Sequence, residues 1–356
     1  MILPPPFLKV LDERAGGSGM KPIIALTMGD PGGVGPEIIL KALQQISFKK
    51  VIPLLIGSKE GFEFASQELK ISFRPHDIPT LERSLLADDQ INFLDMANEA
   101  KALYEKAFGE HHPDKEAFTI GTVSRWNGVL AYSSLKIAAY QAACGLVQAI
   151  VTAPVSKQAI RLIDPKFSGH TEYLAKVAGV QDFAMMFVSE RLRVTLVTTH
   201  LALGEVPHVL TTQDIVSKIT LTDRFLRNHL KISDPTIGVS ALNPHGSEFG
   251  TEEEKIITPA VQEALRKGLK VVGPLAGDQI FYEGYTGRFD AIIAMYHDQG
   301  LAPFKMIAFH DGVNVTLGLP YLRSSPDHGT AFDIAYQNKA NPASFRASFE
   351  LLQKLL

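Results

Sequence analysis

The sequence predicts an α/β protein with mainly parallel sheets, and three observations support this fold class. From Lys21 onward, short apolar runs alternate with longer stretches of helical spacing, which is typical of parallel strands joined by helices. The contents of 46% hydrophobic and 21% charged residues are those of an ordinary globular protein. The 356 residues suggest two domains, because one domain has about 150 residues. We therefore expect two α/β domains that share a cleft.

The first predicted elements lie directly after Lys21. Residues 23–27 and 51–56 are apolar runs of strand length and are predicted strands. Residues 36–43 are a predicted helix, because the proline at its start suits the first helical position.

The middle of the chain contains a less regular segment and then a strong helix signal. The polar stretch at 71–92 is expected to hold short edge strands and turns. Apolar residues at helical spacing predict a helix at 128–145, which leads into a predicted strand at 146–151.

Two capping boxes predict helix starts later in the chain. In each, a threonine is followed three positions later by an acidic residue, as in the motif that satisfies the first helical amides. The pairs are Thr211 with Asp214 and Thr251 with Glu254. The last helix is expected at 342–356.

Charge and cysteine content narrow the classes of partner. The net charge is −3, so the chain has no basic footprint for nucleic acid or an anionic membrane. Cys144 is the only cysteine, which excludes an intrachain disulfide and fits a reducing compartment. The start lacks a secretory signal, and no apolar run approaches the roughly 18 residues of a membrane span. We expect a cytoplasmic protein that acts on small molecules.

Three histidines each stand at the end of a strand-like run, and they are His200, His245 and His297. Parallel sheets bind ligands at the carboxyl ends of their strands, so three imidazoles in this position can converge on one metal ion. A single histidine there is more often structural. Three in the same context favour a metal-assisted enzyme.

Three loops next to predicted helices are candidates for anion binding. The loop Gly29-Asp-Pro-Gly-Gly-Val-Gly-Pro-Glu37 is either an anion site or a tight turn, and it lacks the dinucleotide pattern Gly-x-Gly-x-x-Gly. The loop Thr152-Ala-Pro-Val-Ser-Lys157 ends in a lysine that can bind phosphate or act as a base. The loop Ser168-Gly-His-Thr-Glu-Tyr173 suits a phosphate or carboxylate, or else is a simple helix cap.

The segment from Tyr296 to Thr330 has the highest density of polar groups. It combines the candidate ligand His297 with an acid, Asp298, and with the cations Lys305 and Arg323. Two cations beside a metal ligand suit an anionic substrate.

Seven ordered motifs give the chain a resemblance to a known family. They are Gly-Asp-Pro-Gly-Gly-Val-Gly-Pro-Glu, Thr-Ala-Pro-Val-Ser-Lys, Gly-His-Thr-Glu, Thr-Thr-His, Leu-Asn-Pro-His, Met-Tyr-His-Asp-Gln-Gly and Asn-Val-Thr-Leu-Gly-Leu-Pro. With these motifs the chain resembles the 4-hydroxythreonine-4-phosphate dehydrogenase family of pyridoxal phosphate biosynthesis, from residue 21 to about 335.

The resemblance implies two α/β/α domains with mainly parallel sheets, similar to isocitrate and isopropylmalate dehydrogenases, with the active site in the interdomain cleft. It also implies a homodimer whose interface brings metal ligands from both subunits together. The implied metal ligands are His200, His245 and His297. The implied substrate-binding residues are His170, Thr171, Lys305, Asn314 and Arg323. Lys157 and Asp298 are our candidates for proton transfer.

The resemblance further implies oxidation of 4-phosphooxy-L-threonine to a 3-keto acid that decarboxylates to 3-amino-2-oxopropyl phosphate. The expected cofactor is NAD, with NADP as the alternative. Imidazole ligands make zinc the expected divalent metal, with cobalt, magnesium or manganese as the other candidates. Other hypotheses stay open: oxidation of 4-phospho-threonate or 4-phospho-erythronate, a non-redox metalloenzyme acting on a phosphorylated small molecule, and a non-catalytic binding protein.

The expected domain boundaries follow from the same resemblance. Residues 20–155 and about 305–356 are expected to form the first domain, and about 156–304 the second, which carries the metal ligands. Residues 1–19 are expected to be a disordered leader.

Overall fold

The computed structural model describes residues 20–111 and 118–356, so the leader expected at 1–19 lies outside the described residues. Within the described part, the chain forms two compact units. Unit 1 contains the residues up to Gly179 together with Pro320–Lys354, and unit 2 contains Val180–Leu319.

The described residues form strands and helices that alternate along most of the chain. The strands are β1 (Ile23–Thr27), β2 (Ile52–Gly57), β3 (His76–Ile78), β4 (Asn92–Asp95), β5 (Ala149–Thr152), β6 (Ala184–Val188), β7 (Arg193–Leu196), β8 (Ile237–Ser240), β9 (Val271–Leu275), β10 (Ala291–Ala294), β11 (Val313–Leu317) and β12 (Leu322–Pro326). The α-helices are α1 (Gly35–Leu43), α2 (Lys59–Leu69), α3 (Ala97–Phe108), α4 (Arg125–Ala143), α5 (Lys157–Arg161), α6 (His170–Val177), α7 (Val206–Val209), α8 (Thr212–Asn228), α9 (Thr258–Arg266), α10 (Gly277–Tyr285), α11 (His297–Ala308) and α12 (Ala343–Leu355).

Unit 1 is built on parallel strands in the order β3-β4-β2-β1-β5-β12. Every residue of β1, β2 and β5 is buried, which is typical of parallel strands with both faces covered. Helix α4 packs against these three strands. The short strand β3 lies at the edge, as the polar composition of 71–92 predicts.

Unit 2 has strands in the order β11-β6-β7-β10-β8-β9. The strands β7, β10, β8 and β9 are parallel, whereas β6 is antiparallel to both of its neighbours. Helix α11 packs on β7 and β10, and their apolar residues form one core. Val194, Leu196 and Ile292 from the strands meet Leu301 and Phe304 from the helix in this core.

The predicted fold class is confirmed, because the structure is a mixed α/β architecture with mainly parallel strands. The predicted cap at Thr211 is also confirmed: its side chain accepts a hydrogen bond from the Asp214 amide at 3.1 Å. Within the described residues, no helix is both long and apolar enough to cross a membrane.

One predicted helix start and one predicted cap differ from the structure. Helix α4 begins at Arg125, earlier than residue 128, because Ser124 caps it by accepting from the Asn127 amide. The helix start predicted near Thr251 is present, because the helical segment begins at Glu252 and the Lys255 amide donates to the Thr251 carbonyl at 2.9 Å, but the threonine side chain does not cap it. A π-helical turn spans Glu253–Ile257 without a side-chain cap, and its first glutamate bonds to backbone amides of another loop instead.

The observed unit boundaries lie later in the chain than the expected boundaries near 155 and 305. Helices α5 and α6 pack against α4 and therefore stay with unit 1. Likewise, α11 packs on β7 and β10, and β11 pairs with β6, which keeps these elements in unit 2. Helix packing and strand pairing, which spacing in the sequence does not show, account for the difference.

Candidate active site

The three candidate metal ligands lie beyond strand ends of unit 2. Strand β7 precedes His200, β8 precedes His245, and β10 precedes His297, which is the first residue of α11. These three strands are parallel neighbours in the order β7-β10-β8. The histidines therefore all follow the carboxyl ends of strands on the same side of the sheet.

The structure brings His200 and His297 together. Their ring centroids are 5.8 Å apart, with an angle of 43° between the planes. Two imidazoles that share one zinc ion have centroids on the order of 5–6 Å apart, since each Zn–N bond is about 2 Å. His297 Nδ1 lies 2.7 Å from Asp298 Oδ1. Such a carboxylate contact orients a ligating histidine so that Nε2 faces the ion.

His245 does not join this pair. Its backbone has a φ of +58°, its side chain is 64% exposed, and its Nδ1 lies 3.2 Å from Glu248 Oε2. In residues 20–111 and 118–356 there is no group of three or more His, Cys, Asp or Glu side chains that could hold a metal ion. One subunit therefore assembles two of the three candidate ligands.

The chemistry of these donors fits a divalent ion that prefers nitrogen ligands. Imidazoles suit zinc, cobalt or nickel better than magnesium or calcium. His297 and His245 each have Nδ1 next to a carboxylate, as metal-binding histidines usually do. The three histidines are thus the residue type that such an ion prefers. The distance between the His200 and His297 rings also suits two ligands of one ion.

Unit 1 contains a buried cation, Arg323, whose guanidinium lies beside Thr152 at the carboxyl end of β5. Arg323 lies on β12, is 2% exposed, and donates to Thr152 Oγ1 at 2.7 Å and to Thr171 Oγ1 at 3.5 Å. Burial lowers the pKa of its guanidinium to about 10, against the attraction of Glu172. Arg323 is therefore still charged at neutral pH, and it is preorganised by two hydroxyls to bind an anion.

His170 stands beside this arginine at the start of α6. Its Nε2 is buried and has no hydrogen-bond partner. Burial lowers the imidazole pKa well below 6.5, and the charges of Arg323 and Lys157 lower it further. His170 is therefore neutral at neutral pH, with one ring nitrogen left for a ligand.

Lys157 reaches the same end of α6. A Cβ atom at Gly169 would lie 3.5 Å from Lys157 Nζ and 2.7 Å from Glu172 Oε2, so both side chains lie close to the start of α6. The structure thus brings together four predicted residues of unit 1, namely Lys157, His170, Thr171 and Arg323.

Lys305 and Asn314 both lie in unit 2. Lys305 is eight residues beyond His297 on α11, which is about 12 Å along a helix. Asn314 lies on β11, and its Oδ1 is buried without a hydrogen-bond partner. An unsatisfied buried acceptor of this kind is costly unless a ligand donates to it.

The glycine-rich loop fits the tight-turn interpretation better than the anion-site interpretation. Its residues are buried from Gly29 to Glu37, and its amides already donate to protein oxygens. Asp30 N donates to Pro154 O, Gly32 N to Asp30 Oδ1, Gly33 N to Asp30 O, and Val34 N to Thr330 O. These amides are not available to an external anion.

Three residues that the sequence analysis did not single out contribute to these sites. Thr152 and Glu172 surround Arg323, and Gln299 bonds to the loops that carry two of the histidines. All three residues lie inside the quoted motifs. The motifs therefore indicate the segments that matter, but they do not show which side chains these residues contact.

Comparison with known proteins identifies the family of this site. The family described as "Pyridoxal phosphate biosynthetic protein PdxA" matches residues 49–352. The D-threonate 4-phosphate dehydrogenase of Pectobacterium atrosepticum is 38% identical, over 94% of this chain and 100% of its own. The 4-hydroxythreonine-4-phosphate dehydrogenase of Desulfosudis oleivorans is 40% identical, over 93% of this chain and 95% of its own.

Solved structures agree with the same family. The crystal structure of 4-hydroxythreonine-4-phosphate dehydrogenase from Klebsiella pneumoniae has a TM-score of 0.79 and 36% identity, over 94% of this chain and 99% of that chain. The enzyme of the same name from Burkholderia phymatum has a TM-score of 0.77 and 35% identity, over 94% and 98% of the two chains.

Proposed function

The chain belongs to the PdxA family of pyridoxal phosphate biosynthetic proteins, and on this premise we propose that it oxidises 4-phosphooxy-L-threonine with NAD or NADP. The observation that carries the proposal is the family match over residues 49–352. Relatives that are 36–40% identical over more than nine-tenths of the chain are named as dehydrogenases. These names favour an oxidoreductase over a non-redox metalloenzyme or a binding protein.

A second candidate substrate is D-threonate 4-phosphate. Relatives from Pectobacterium atrosepticum and Salmonella typhimurium, each 38% identical, are named for that activity. The two substrates share a phosphate, a carboxylate and a C3 hydroxyl, and they differ in having an amino or a hydroxyl group at C2. The anion site around Arg323 suits both.

In the proposed reaction, Arg323 binds an anionic group of the substrate. The hydroxyls of Thr152 and Thr171 hold its guanidinium in place, so binding costs little reorganisation. Neutral His170 directs Nε2 to a substrate oxygen, because that nitrogen has no protein partner. We also propose Lys305 and Asn314 as substrate-binding residues, as the family resemblance implies.

His200, His245 and His297 would hold the divalent ion, with the third ligand coming from a second subunit. When bound, the ion supplies Lewis acidity toward substrate oxygens. Asp298 accepts from His297 and is 85% exposed, which suits a carboxylate that orients the imidazole rather than one that moves substrate protons. Lys157 is then our candidate to accept the C3 hydroxyl proton while the C3 hydride passes to the nicotinamide.

We further propose a homodimer located in the cytoplasm. Unit 2 exposes large apolar side chains at the end of α11, where Met306 is 87% and Phe309 is 71% exposed. Exposed apolar groups of this size are typical of protein interfaces. A cytoplasmic location is consistent with a single cysteine, since disulfides are rare there.

A panel of substrates tests the proposed function. Purified protein with zinc, cobalt, magnesium or manganese is given 4-phosphooxy-L-threonine or D-threonate 4-phosphate, with NAD or NADP, and absorbance at 340 nm is followed. We expect the highest kcat/KM for 4-phosphooxy-L-threonine. A hundredfold preference for D-threonate 4-phosphate would establish the second candidate instead, and no reduction of either cofactor would reject both.

Replacement of a metal ligand tests the role of the metal. In His297→Ala we expect bound metal to be lost and activity to fall about 100-fold or more, because Lewis-acid stabilisation contributes several kcal/mol. His111→Ala is the control, since His111 is exposed and its Nδ1 pairs with the Glu105 carboxylate. Full turnover by metal-depleted His297→Ala would contradict the metal role.

A further inference from the structure

Gln299 connects two of the loops that carry candidate metal ligands. It lies in the first turn of α11, two residues after His297. Its Oε1 accepts from the Met295 amide at 2.7 Å, and its Nε2 donates to the Ala241 carbonyl at 2.6 Å. Met295 directly follows β10, and Ala241 directly follows β8. One side chain therefore joins the carboxyl ends of two neighbouring strands.

Met295 also contacts the loop that carries the remaining candidate ligand, His200. The Met295 carbonyl accepts from the Thr198 amide at 3.2 Å and from Thr198 Oγ1 at 2.8 Å. Thr198 lies two residues before His200. Met295 thus contacts the loop of His200 through its carbonyl, while its amide contacts Gln299.

The loop of His245 is anchored on its other side by Glu253. This glutamate is 1% exposed, and its Oε1 accepts from the amides of Leu242 and Asn243 at 2.8 and 2.7 Å. Its Oε2 accepts from Asn243 Nδ2 at 2.9 Å. The backbone that leads to His245 is therefore held at Ala241 by Gln299, and at Leu242 and Asn243 by Glu253.

We propose that Gln299 is a positioning residue of the metal site, which sets the separation of the backbone segments that carry His245 and His297. The inference rests on the proposed metal-binding function and deepens it. Neither hydrogen bond involves a metal ligand itself, so Gln299 acts only through the backbone. A shift of either segment changes the place from which its imidazole approaches the ion, whether or not the third ligand comes from a second subunit.

Cobalt binding to the full-length protein tests this proposal without an activity assay. Metal-free wild type, Gln299→Met and Gln299→Asn are titrated with Co²⁺, and the visible spectrum of the bound ion is recorded. Methionine keeps the length of the side chain and removes both hydrogen bonds, whereas asparagine keeps the amide and is too short to span both loops. The matched control is Gln279→Met, because Gln279 is an exposed glutamine on α10 whose side chain donates to Glu283 Oε1 at 2.9 Å.

We expect both Gln299 variants to bind Co²⁺ about 10–100-fold more weakly and with an altered visible spectrum, as is typical when the support of metal ligands is removed. Gln279→Met should match the wild type in affinity and spectrum. Circular dichroism of each variant checks that the fold is kept. Wild-type affinity and spectrum in a folded Gln299 variant would overturn the positioning role, whereas a wild type that binds no Co²⁺ would instead overturn the proposed metal site.

Discussion

Asp30 is a buried carboxyl group in the glycine-rich loop of unit 1. Its Oδ1 accepts from the Gly32 amide at 2.9 Å, whereas its Oδ2 is buried without a hydrogen-bond partner. Burial raises the pKa of Asp30 from 3.8 to about 6, although nearby donors such as the Gly32 amide oppose the rise. The ionised carboxylate is therefore a local cost to folding at neutral pH.

Asp30→Asn is expected to stabilise the protein above about pH 6. The folded-state pKa exceeds the unfolded-state pKa, so the contribution of the protonated carboxyl is complete below pH 3.8 and is lost as the pH rises through about 6. An amide cannot ionise and therefore avoids this loss of stability, which amounts to about 3 kcal/mol at most.

Thermal melting of Asp30→Asn and the wild type at pH 8 and pH 4 measures the difference in stability. We expect a gain at pH 8 that disappears at pH 4, and none in the exposed control Asp311→Asn. A lower melting temperature at pH 8 would show that the charge is needed.

Arg323→Lys is expected to weaken substrate binding about tenfold to a hundredfold. Lysine keeps the charge but loses the planar fork that bonds to the Thr152 and Thr171 hydroxyls. Hydrogen bonds to charged groups contribute about 1.5–3 kcal/mol, which corresponds to this range. Calorimetric titration with the phosphorylated substrate measures Kd, and Arg191→Lys is the exposed control. An unchanged Kd would remove Arg323 from substrate binding.

Among the elements, helix α11 lies very close to strand β7. A Cβ atom at Gly300 would lie 2.7 Å from Leu196 Cδ2 and 2.9 Å from Val194 Cγ1, so a residue without a side chain is required for the helix to lie this near β7. The same helix carries His297, Gln299 and Lys305. Its distance from the sheet therefore affects both packing and the site.

Gly300→Ala is expected to destabilise unit 2 by a net amount of up to about 2 kcal/mol, because the added methyl overfills the contact with β7 at a cost of about 1–3 kcal/mol. This cost exceeds the gain of about 1 kcal/mol from better helix propensity. Gly277→Ala at the start of α10 is the matched control, since its nearest neighbours would be 3.8 Å away. Thermal melting compares the two variants, and equal melting temperatures would contradict the close packing of α11.

The sequence predicts elements better than it predicts contacts between them. Uniform apolar runs mark β1 and β2, and the Thr211 cap marks α8, because these signals are local. The antiparallel pairing of β6 and the π-helical turn before α9 depend on neighbours that are distant in sequence, such as the loop held by Glu253. In the same way, the motifs identified Arg323 and His170 separately. Only the folded structure shows that the two side chains lie close enough for the charge of Arg323 to lower the pKa of His170.

At the scale of the whole molecule, one subunit does not assemble the predicted histidine triad. His200 and His297 are adjacent and His245 is not part of their group. This arrangement fits the proposed homodimer, in which a second copy supplies a ligand. Metal content and association are then linked, because a dissociated subunit would offer only two imidazoles to the ion.

Sedimentation equilibrium at micromolar concentration is expected to give twice the chain mass of 38.9 kDa. Met306→Lys combined with Phe309→Lys is expected to shift the protein toward monomer, because buried lysines at an interface are costly. Leu162→Lys, a substitution at another exposed apolar position in unit 1, serves as the control. A wild type that sediments as a monomer would contradict the dimer.

Unit 1 is made of two chain segments, and this division affects folding during translation. Unit 2 is continuous from Val180 to Leu319, so a ribosome releases it whole before Pro320–Lys354 emerges. Until then, β5 lacks its neighbour β12, and Arg323 has not reached Thr152. Because domains generally fold as units during synthesis, we expect unit 2 to fold first on the ribosome and the anion site of unit 1 to form last.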